Sequence, residues 1–200
     1  MATQRIALRY AGAISVGRVL ELGCGTGEWA ARFLDSHPNA EYVAVEFSDK
    51  MREIASQRCA TDGRRIRVLS GDLNVSLPAG PFDLVVSFFA IHHVRDKERL
   101  FRSIHDSLSA SGRLIYADIT IAGNPVLENL FLEGWVAFMR DSGLGEERIG
   151  HVLADHREND LPETASWQLA SMKATGFGFA ELVWTWEKFA LFYAEKRMTA

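Results

Sequence analysis

The 200-residue chain predicts an α/β fold, a doubly wound and mostly parallel sheet of seven strands that finishes in an antiparallel hairpin strand. Three observations carry this. Strand-like and helix-like runs alternate over residues 18–119, the pattern of a parallel sheet with helices on its faces. Residues 82–88 are nearly all apolar, as a central parallel strand buried on both faces should be. Two final strand-like runs, 180–186 and 189–194, are close enough to pair as a hairpin.

Each element follows from its own residues. The first strand is 18–22, and a helix at 28–36 ends before His37-Pro38. The second strand is 42–46. Ser48 can cap the next helix, whose apolar side carries Met51, Ile54 and Ala55. A third strand, 66–70, alternates Ile66 and Val68 with arginines, which suggests one polar face. After the fourth strand, Asp96 starts a helix with Leu100, Phe101, Ile104 and Leu108 on one face. Gly112 is expected to end that helix in the left-handed conformation. The fifth strand is 113–119. Asn124-Pro125 reads as an N-cap followed by proline at the first helical position, opening a helix at 126–141. Its wide apolar side holds Leu127, Leu130, Phe131, Trp135, Phe138 and Met139. The stretch 120–161 is longer than an ordinary connection, so it is expected to be an insertion in a single domain spanning 1–200. After Pro162 a helix runs to Thr175 and stops at Gly176.

Composition bounds the function. Apolar content is 48%, charged content 24%, net charge -4 and the sequence pI about 5.9. Such a balance gives no general attraction to nucleic acid or anionic membrane. Two cysteines, Cys24 and Cys59, do not make a disulfide framework, and a reducing cytoplasm is expected. No stretch is long and apolar enough to span a bilayer. Arg5 and Arg9 interrupt the short apolar N-terminal segment, so no signal peptide is expected.

Chemistry enters at Val19-Leu20-Glu21-Leu22-Gly23-Cys24-Gly25-Thr26-Gly27. A buried strand runs into three glycines on alternate positions, and a helix follows. Glycines there let backbone approach a ligand closely, and the helix N-terminus offers free N–H groups. A dinucleotide fingerprint needs a small residue where Glu28 stands, and that carboxylate would repel a pyrophosphate. This argues against a nucleotide-dependent oxidoreductase.

The block is similar to the first motif of class I S-adenosylmethionine (SAM)-dependent methyltransferases. Further segments resemble the family in order: Glu46 at the second strand's end, Gly71-Asp72-Leu73, Phe82-Asp83-Leu84-Val85-Val86-Ser87, Ile91-His92-His93-Val94 and Ser111-Gly112-Arg113-Leu114. The likeness is good over residues 17–120, and the final helix and hairpin look like the tail of small-molecule members. It implies a Rossmann-like sheet of order 3-2-1-4-5-7-6. It also implies SAM as cofactor, with S-adenosylhomocysteine as product, and a cofactor site drawn from Glu21, Gly23, Cys24, Gly25, Gly27, Glu46, Phe47, Met51, Asp72, Leu73, Ser87 and Phe88. The family places an acid such as Glu46 on the ribose hydroxyls and reads the adenine where Asp72 and Leu73 stand. Physics agrees on Glu46, because a carboxylate at a strand's C-terminal edge can accept two hydrogen bonds from a vicinal diol. Glu21, inside an apolar run, is expensive to bury charged, so either a nearby cation or the glycine loop's N–H groups should compensate it. Phe47 either packs on adenine or belongs to the core.

Methyl transfer from a sulfonium is an in-line displacement, so the protein must chiefly align the partners and exclude water. Phe88 and Phe89 are placed to wall the methyl's path. His92 and His93 are the candidates for proton transfer, or else a brace for the following helix. His151, Asp155, His156 and Asp160 form a second cluster whose spacings of four would pair His151 with Asp155 and His156 with Asp160 on a helix. A metal site or an acid–base site is one reading of the cluster, and a solvated, charged loop before Pro162 is the expectation. No zinc-type spacing occurs, and no metal is expected. Only about sixteen residues precede the first strand, so the insertion, with Trp135, should form the lid. Phe89, Trp135 and His156 are the candidate substrate contacts. The expected acceptor is an oxygen or nitrogen of a small molecule. Alternatives are an RNA or protein acceptor and a non-catalytic SAM-binding module. No N/D-P-P-Y/F or Pro-Cys motif follows the fourth strand, which makes nucleic acid a poor acceptor. The chain is expected to be a monomer or homodimer.

Overall fold

The alternating runs fold onto one sheet. The structure, a computed structural model, describes residues 2–13 and 16–197. Its strands are β1 (Arg18–Leu22), β2 (Glu41–Glu46), β3 (Ile66–Ser70), β4 (Phe82–Phe88), β5 (Leu108–Ile121), β6 (Glu163–Thr164), β7 (Phe179–Trp186) and β8 (Phe189–Glu195). Its helices are α1 (Ala2–Ala11), α2 (Glu28–Ser36), α3 (Asp49–Arg58), α4 (Lys97–Ser107), α5 (Pro125–Asp141), α6 (Glu146–Asn159) and α7 (Ala165–Ala174). The sheet order is β3-β2-β1-β4-β5-β8-β7, with the two-residue β6 pairing beside β5. Setting β6 aside, this is the expected 3-2-1-4-5-7-6. Pairing is parallel from β3 to β5 and antiparallel in the C-terminal hairpin.

Strand alternation divides the core in two. Leu20, Leu22, Val43, Val45 and Val85 face α4 and α7, through Leu100, Phe101, Ile104 and Met172. Val19, Tyr42, Ala44, Leu84 and Val86 face α1 and α2, through Ala7, Ala11, Trp29 and Phe33. Caps start the helices where the sequence places them. Ser48 accepts from the Met51 N–H, Asp96 from Arg99, and Asn124 from Val126 and Leu127. Each satisfies donors that a first helical turn leaves free.

Two local expectations are corrected, at Gly112 and in the stretch before Pro162, and two further elements add detail. Gly112 does not end α4 in a left-handed turn: α4 stops at Ser107 and Gly112 already lies within β5. A Cβ there would stand 2.8 Å from the Phe82 carbonyl oxygen and 2.9 Å from the Leu108 Cβ, so the glycine serves close strand approach. The segment before the first strand forms α1, which buries Ala7 and Ala11 in the core and packs Ile6, Leu8 and Tyr10 against it. The stretch expected to be a solvated loop is α6, which packs Ile149 against Trp135 and Met139 of α5. A polar helix with a single fully buried residue leaves only a faint periodic signal. Finally, the exposed positions of β3 include Arg67 and Ser70, in keeping with its place at the sheet edge.

Candidate active site

Two cavities open at the C-terminal edge of the parallel strands, where ligands bind in folds of this kind. The first, about 570 Å³, is lined by Gly23, Gly25, Glu46, Phe47, Met51, Asp72, Leu73, Phe88, Phe89 and His93, among others. Gly23, Gly25 and Gly27 all have positive φ, at 69°, 53° and 72°. That left-handed series is what the alternate glycines permit. At Gly23 a side chain would also collide with Ala90. Glu46 turns toward this loop: one carboxylate oxygen accepts the Gly25 N–H at 2.9 Å and the other the Ser48 N–H at 2.9 Å. A carboxylate has about four acceptor sites, so each oxygen keeps capacity for a hydroxyl. Phe47 is 74% exposed at the cavity wall, so it is not a core residue. Asp72 accepts from the Asn74 backbone and side chain, which orients its carboxylate at the rim.

Four expected cofactor residues lie elsewhere. Glu21 does not reach the cavity; its carboxyl is buried and accepts the Tyr42 hydroxyl at 2.9 Å, rather than the glycine loop's N–H groups. Burial raises its pKa to about 8, against the lowering effect of the Tyr42 bond, and the negative charge of Glu46 adds to the rise. Ser87 is fully buried, where its hydroxyl donates to the Leu22 carbonyl and ties β4 to β1. Cys24 is buried, and Gly27 packs against Ala55, so both shape the turn without lining the cavity. The strand pleat explains Glu21: it shares the β1 face of Val19, which packs on the α1–α2 side.

The second cavity, about 680 Å³, adjoins the first, and Phe89 and His93 line both. Its walls include Ile119, Trp135, Phe138, Trp184, Trp186 and Phe189, with His92, Asp155, His156 and Asp160 at its polar side. Thr3 of α1 also lines it, so the N-terminal segment does contribute to the covering. Phe89 holds φ 59°, unusual for a residue with a side chain, while its N–H donates to the Ala117 carbonyl at 2.8 Å. Such strain costs on the order of 1 kcal/mol and is retained where it positions a group. Here it sets the phenyl ring between the cavities.

The short 3₁₀ turn Ile91–His93 delivers the two histidines. His92 is buried, and its Nδ1 bonds Asp118 of β5. Burial works against its cation, but the Asp118 bond and the charges of Asp118 and Asp160 outweigh that and hold its pKa above the ordinary value. Asp160, with a side chain only 7% exposed, faces three imidazoles: His156 Nδ1 at 2.7 Å, His93 Nδ1 at 3.3 Å and His92 Nε2 at 3.5 Å. The expected helical pairing of His156 with Asp160 is therefore present, whereas Asp155 accepts from Asn159. Sequence reasoning missed Asp118, although a lone acid in the apolar run 114–119 was a signal available for it. It also missed Trp184 and Trp186, which read simply as strand residues. Lys97 donates to the Val94 and Leu161 carbonyls, clamping the histidine turn to the segment that carries Asp160.

An open, mostly parallel sheet with a glycine turn, a strand-end carboxylate and a cavity at its edge is the arrangement of α/β folds that bind an adenosine-containing cofactor. Comparison with known proteins narrows this. Residues 19–112 match the family model described as a methyltransferase domain. A carboxy-S-adenosyl-L-methionine synthase of Nitratiruptor is 25% identical over 183 residues, covering 90% of this chain and 76% of that protein. A demethylmenaquinone methyltransferase of Thermus thermophilus is 32% identical over 99 residues, 49% of this chain and 45% of that one. Among solved structures, the YcgJ protein of Bacillus subtilis superposes with a TM-score of 0.74 at 17% identity, covering 99% of each chain. A SAM-dependent methyltransferase of Mesorhizobium loti gives 0.68 at 24% identity, over 96% of this chain and 97% of that one. Residues 19–112 form a methyltransferase domain, and the relatives and the fold support an enzyme that uses SAM as its cofactor. No helix among the described residues is long and apolar enough to cross a membrane.

Proposed function

We propose that this enzyme transfers the SAM methyl group to an oxygen or nitrogen of a small, largely apolar molecule seated in the second cavity. The observation that carries the reading is the junction of the two cavities at Phe89 and His93. In the first cavity, the glycine turn admits a ligand against bare backbone, Glu46 would hold the ribose hydroxyls, and Asp72, Leu73, Phe47 and Met51 would hold the adenine. When bound, SAM supplies an activated methyl on a sulfonium.

The chain's own work is then alignment, water exclusion and proton removal. Phe88 and Phe89 wall the passage between the cavities. Trp135 and Phe138 of α5 cover the acceptor together with Trp186 and Phe189, whose rings stack at 6.0 Å. His93 stands at the junction with its side chain 53% exposed, and would take the proton of the acceptor's heteroatom. His92, oriented by Asp118, and Asp160 behind both rings receive the positive charge that proton uptake creates. The acidic overall charge, with Asp155 and Asp160 in the wall, supports a small molecule over RNA as the acceptor.

The acceptor is found by incubating the enzyme with isotopically labelled SAM and a metabolite extract and reading label by mass spectrometry. A labelled small metabolite is expected; label confined to protein or RNA would overturn the reading. For the cofactor half, Glu46→Ala should weaken SAM binding at least about tenfold, because charge-assisted hydrogen bonds are lost. An unchanged calorimetric affinity would remove the ribose role.

A further inference from the structure

The cluster of His92, His93 and Asp160 contains more than a proton-transfer pair requires. One ligand atom from each lies within 4.8 Å of the others. The two imidazole nitrogens stand 3.5 and 3.3 Å from the same oxygen, Asp160 Oδ1. Those separations are long for charge-assisted N–H···O bonds, which run about 2.7–2.9 Å. They match the edge of a tetrahedron around a zinc-like ion, about 3.4 Å for ligand bonds near 2.1 Å.

Everything behind these atoms has the form of an outer shell. His92 Nδ1 bonds Asp118, so Nε2 is the nitrogen left for the cluster. Asp118 is itself anchored by the Ile119 N–H at 2.9 Å. The second Asp160 oxygen is held by His156 Nδ1 at 2.7 Å, leaving Oδ1 for the ion. A carboxylate on the far nitrogen of a histidine and a donor on the far oxygen of an aspartate are the contacts that fix metal ligands. The backbone is fixed as well: the Leu161 N–H donates to the His92 carbonyl at 2.8 Å, and Lys97 bridges both segments. The charge is also suited to a cation, because the carboxylates of Asp118 and Asp160 both lie against His92.

We infer that His92 Nε2, His93 Nδ1 and Asp160 Oδ1 bind a divalent transition-metal ion at the mouth of the acceptor cavity, with its open position toward an oxygen of the acceptor. Two imidazoles and one carboxylate with a vacant position form the donor set of ligand-accepting metal sites. The inference rests on the reading of this cavity as the acceptor site only for what it says of the acceptor, which should be an oxygen donor such as a phenol or enol; with the ion bound, His93 Nδ1 would be its ligand, and the ion, in place of the free imidazole, would ease loss of the acceptor's proton. Linear spacing conceals such a site, because Asp160 is supplied by the segment after α6.

The test uses the full chain, freed of metal by chelation, and titrates it with zinc by calorimetry and with cobalt by visible absorption. One ion per chain is expected, with the intense visible bands of tetrahedral cobalt. Asp160→Asn and His93→Gln should abolish stoichiometric binding, and Asp118→Asn should weaken it roughly 10- to 100-fold. His151→Ala, on the exposed side of α6, should bind as the unaltered chain does. Absence of stoichiometric binding in the unaltered chain, or its persistence in a folded Asp160→Asn, overturns the site. Should Asp160→Asn fail to fold, His93→Gln decides, since its ring is half exposed. SAM binding is measured on the same metal-free sample. A chain that binds SAM but takes up no zinc when zinc is added sinks this inference alone, whereas a chain that takes up zinc but binds no SAM sinks the methyl-transfer reading instead.

Discussion

Glu21 should make the fold lose stability as pH rises through neutrality, and Glu21→Gln should relieve that loss. In the fold its carboxyl is fully enclosed and titrates at about 8, against an ordinary 4.5. Below both values folded and unfolded chains hold the proton, and Glu21 imposes no penalty. Between them only the unfolded chain releases it, so each step up in pH favours unfolding. Above the folded value both states are ionised, and the loss levels off. With about 1.4 kcal/mol for each tenfold difference, the penalty is about 3 kcal/mol at pH 7 and approaches about 5 kcal/mol above pH 8. Glutamine cannot ionise, yet its amide oxygen can still accept the Tyr42 hydroxyl that Glu21 now accepts at 2.9 Å. Urea denaturation of both proteins, free of SAM, at a series of pH values from about 5 to 9 reads the difference. The variant should gain on the parent as pH rises, by about 3 kcal/mol at neutrality. A gap that stays constant across the series would refute the reasoning, because it would mean that Glu21 ionises alike in both states.

Other outcomes follow from the site. His93→Ala should slow methyl transfer, read as the rate of S-adenosylhomocysteine release; an unaltered rate would leave His93 a structural role only. Trp135→Ala should raise the acceptor's KM more than that of SAM, since Trp135 lines only the second cavity; the reverse ranking would remove α5 as its cover. Lys188, fully enclosed at the hairpin turn, is paired with Glu128 of α5, so Glu128→Ala should destabilise the fold by about 3 kcal/mol by leaving a buried cation unpaired. Thermal melts would check this, and a shift smaller than that of an exposed α5 substitution such as Glu133→Ala would count against it.

Much of the fold was legible in the sequence because it is written in local periodicity. The apolar strands, the caps Ser48, Asp96 and Asn124, and the glycine turn each act within a few residues, and all stand where they were expected. Elements held by weak or mixed patterns were not legible. α1 docks through a short run broken by Arg5 and Arg9, α6 hides one buried isoleucine in a polar run, and Gly112 answers a steric demand set by Phe82, thirty residues earlier.

For the site, sequence by itself determined that Gly23, Gly25 and Glu46 come together: they sit on consecutive strand ends, and parallel pairing of β1 with β2 must bring strand ends together. Which way a side chain leaves its strand, and what meets it from a distant segment, was decided only in three dimensions. The pleat sent Glu21 and Ser87 into the core, although their neighbours in sequence line the cavity. The return of the chain after α6 set Asp160 against His92 and His93, and β5 brought Asp118 behind them. The reason is physical: a strand's backbone geometry repeats every two residues and can be read along the chain, but a contact between remote segments exists only once packing has fixed both.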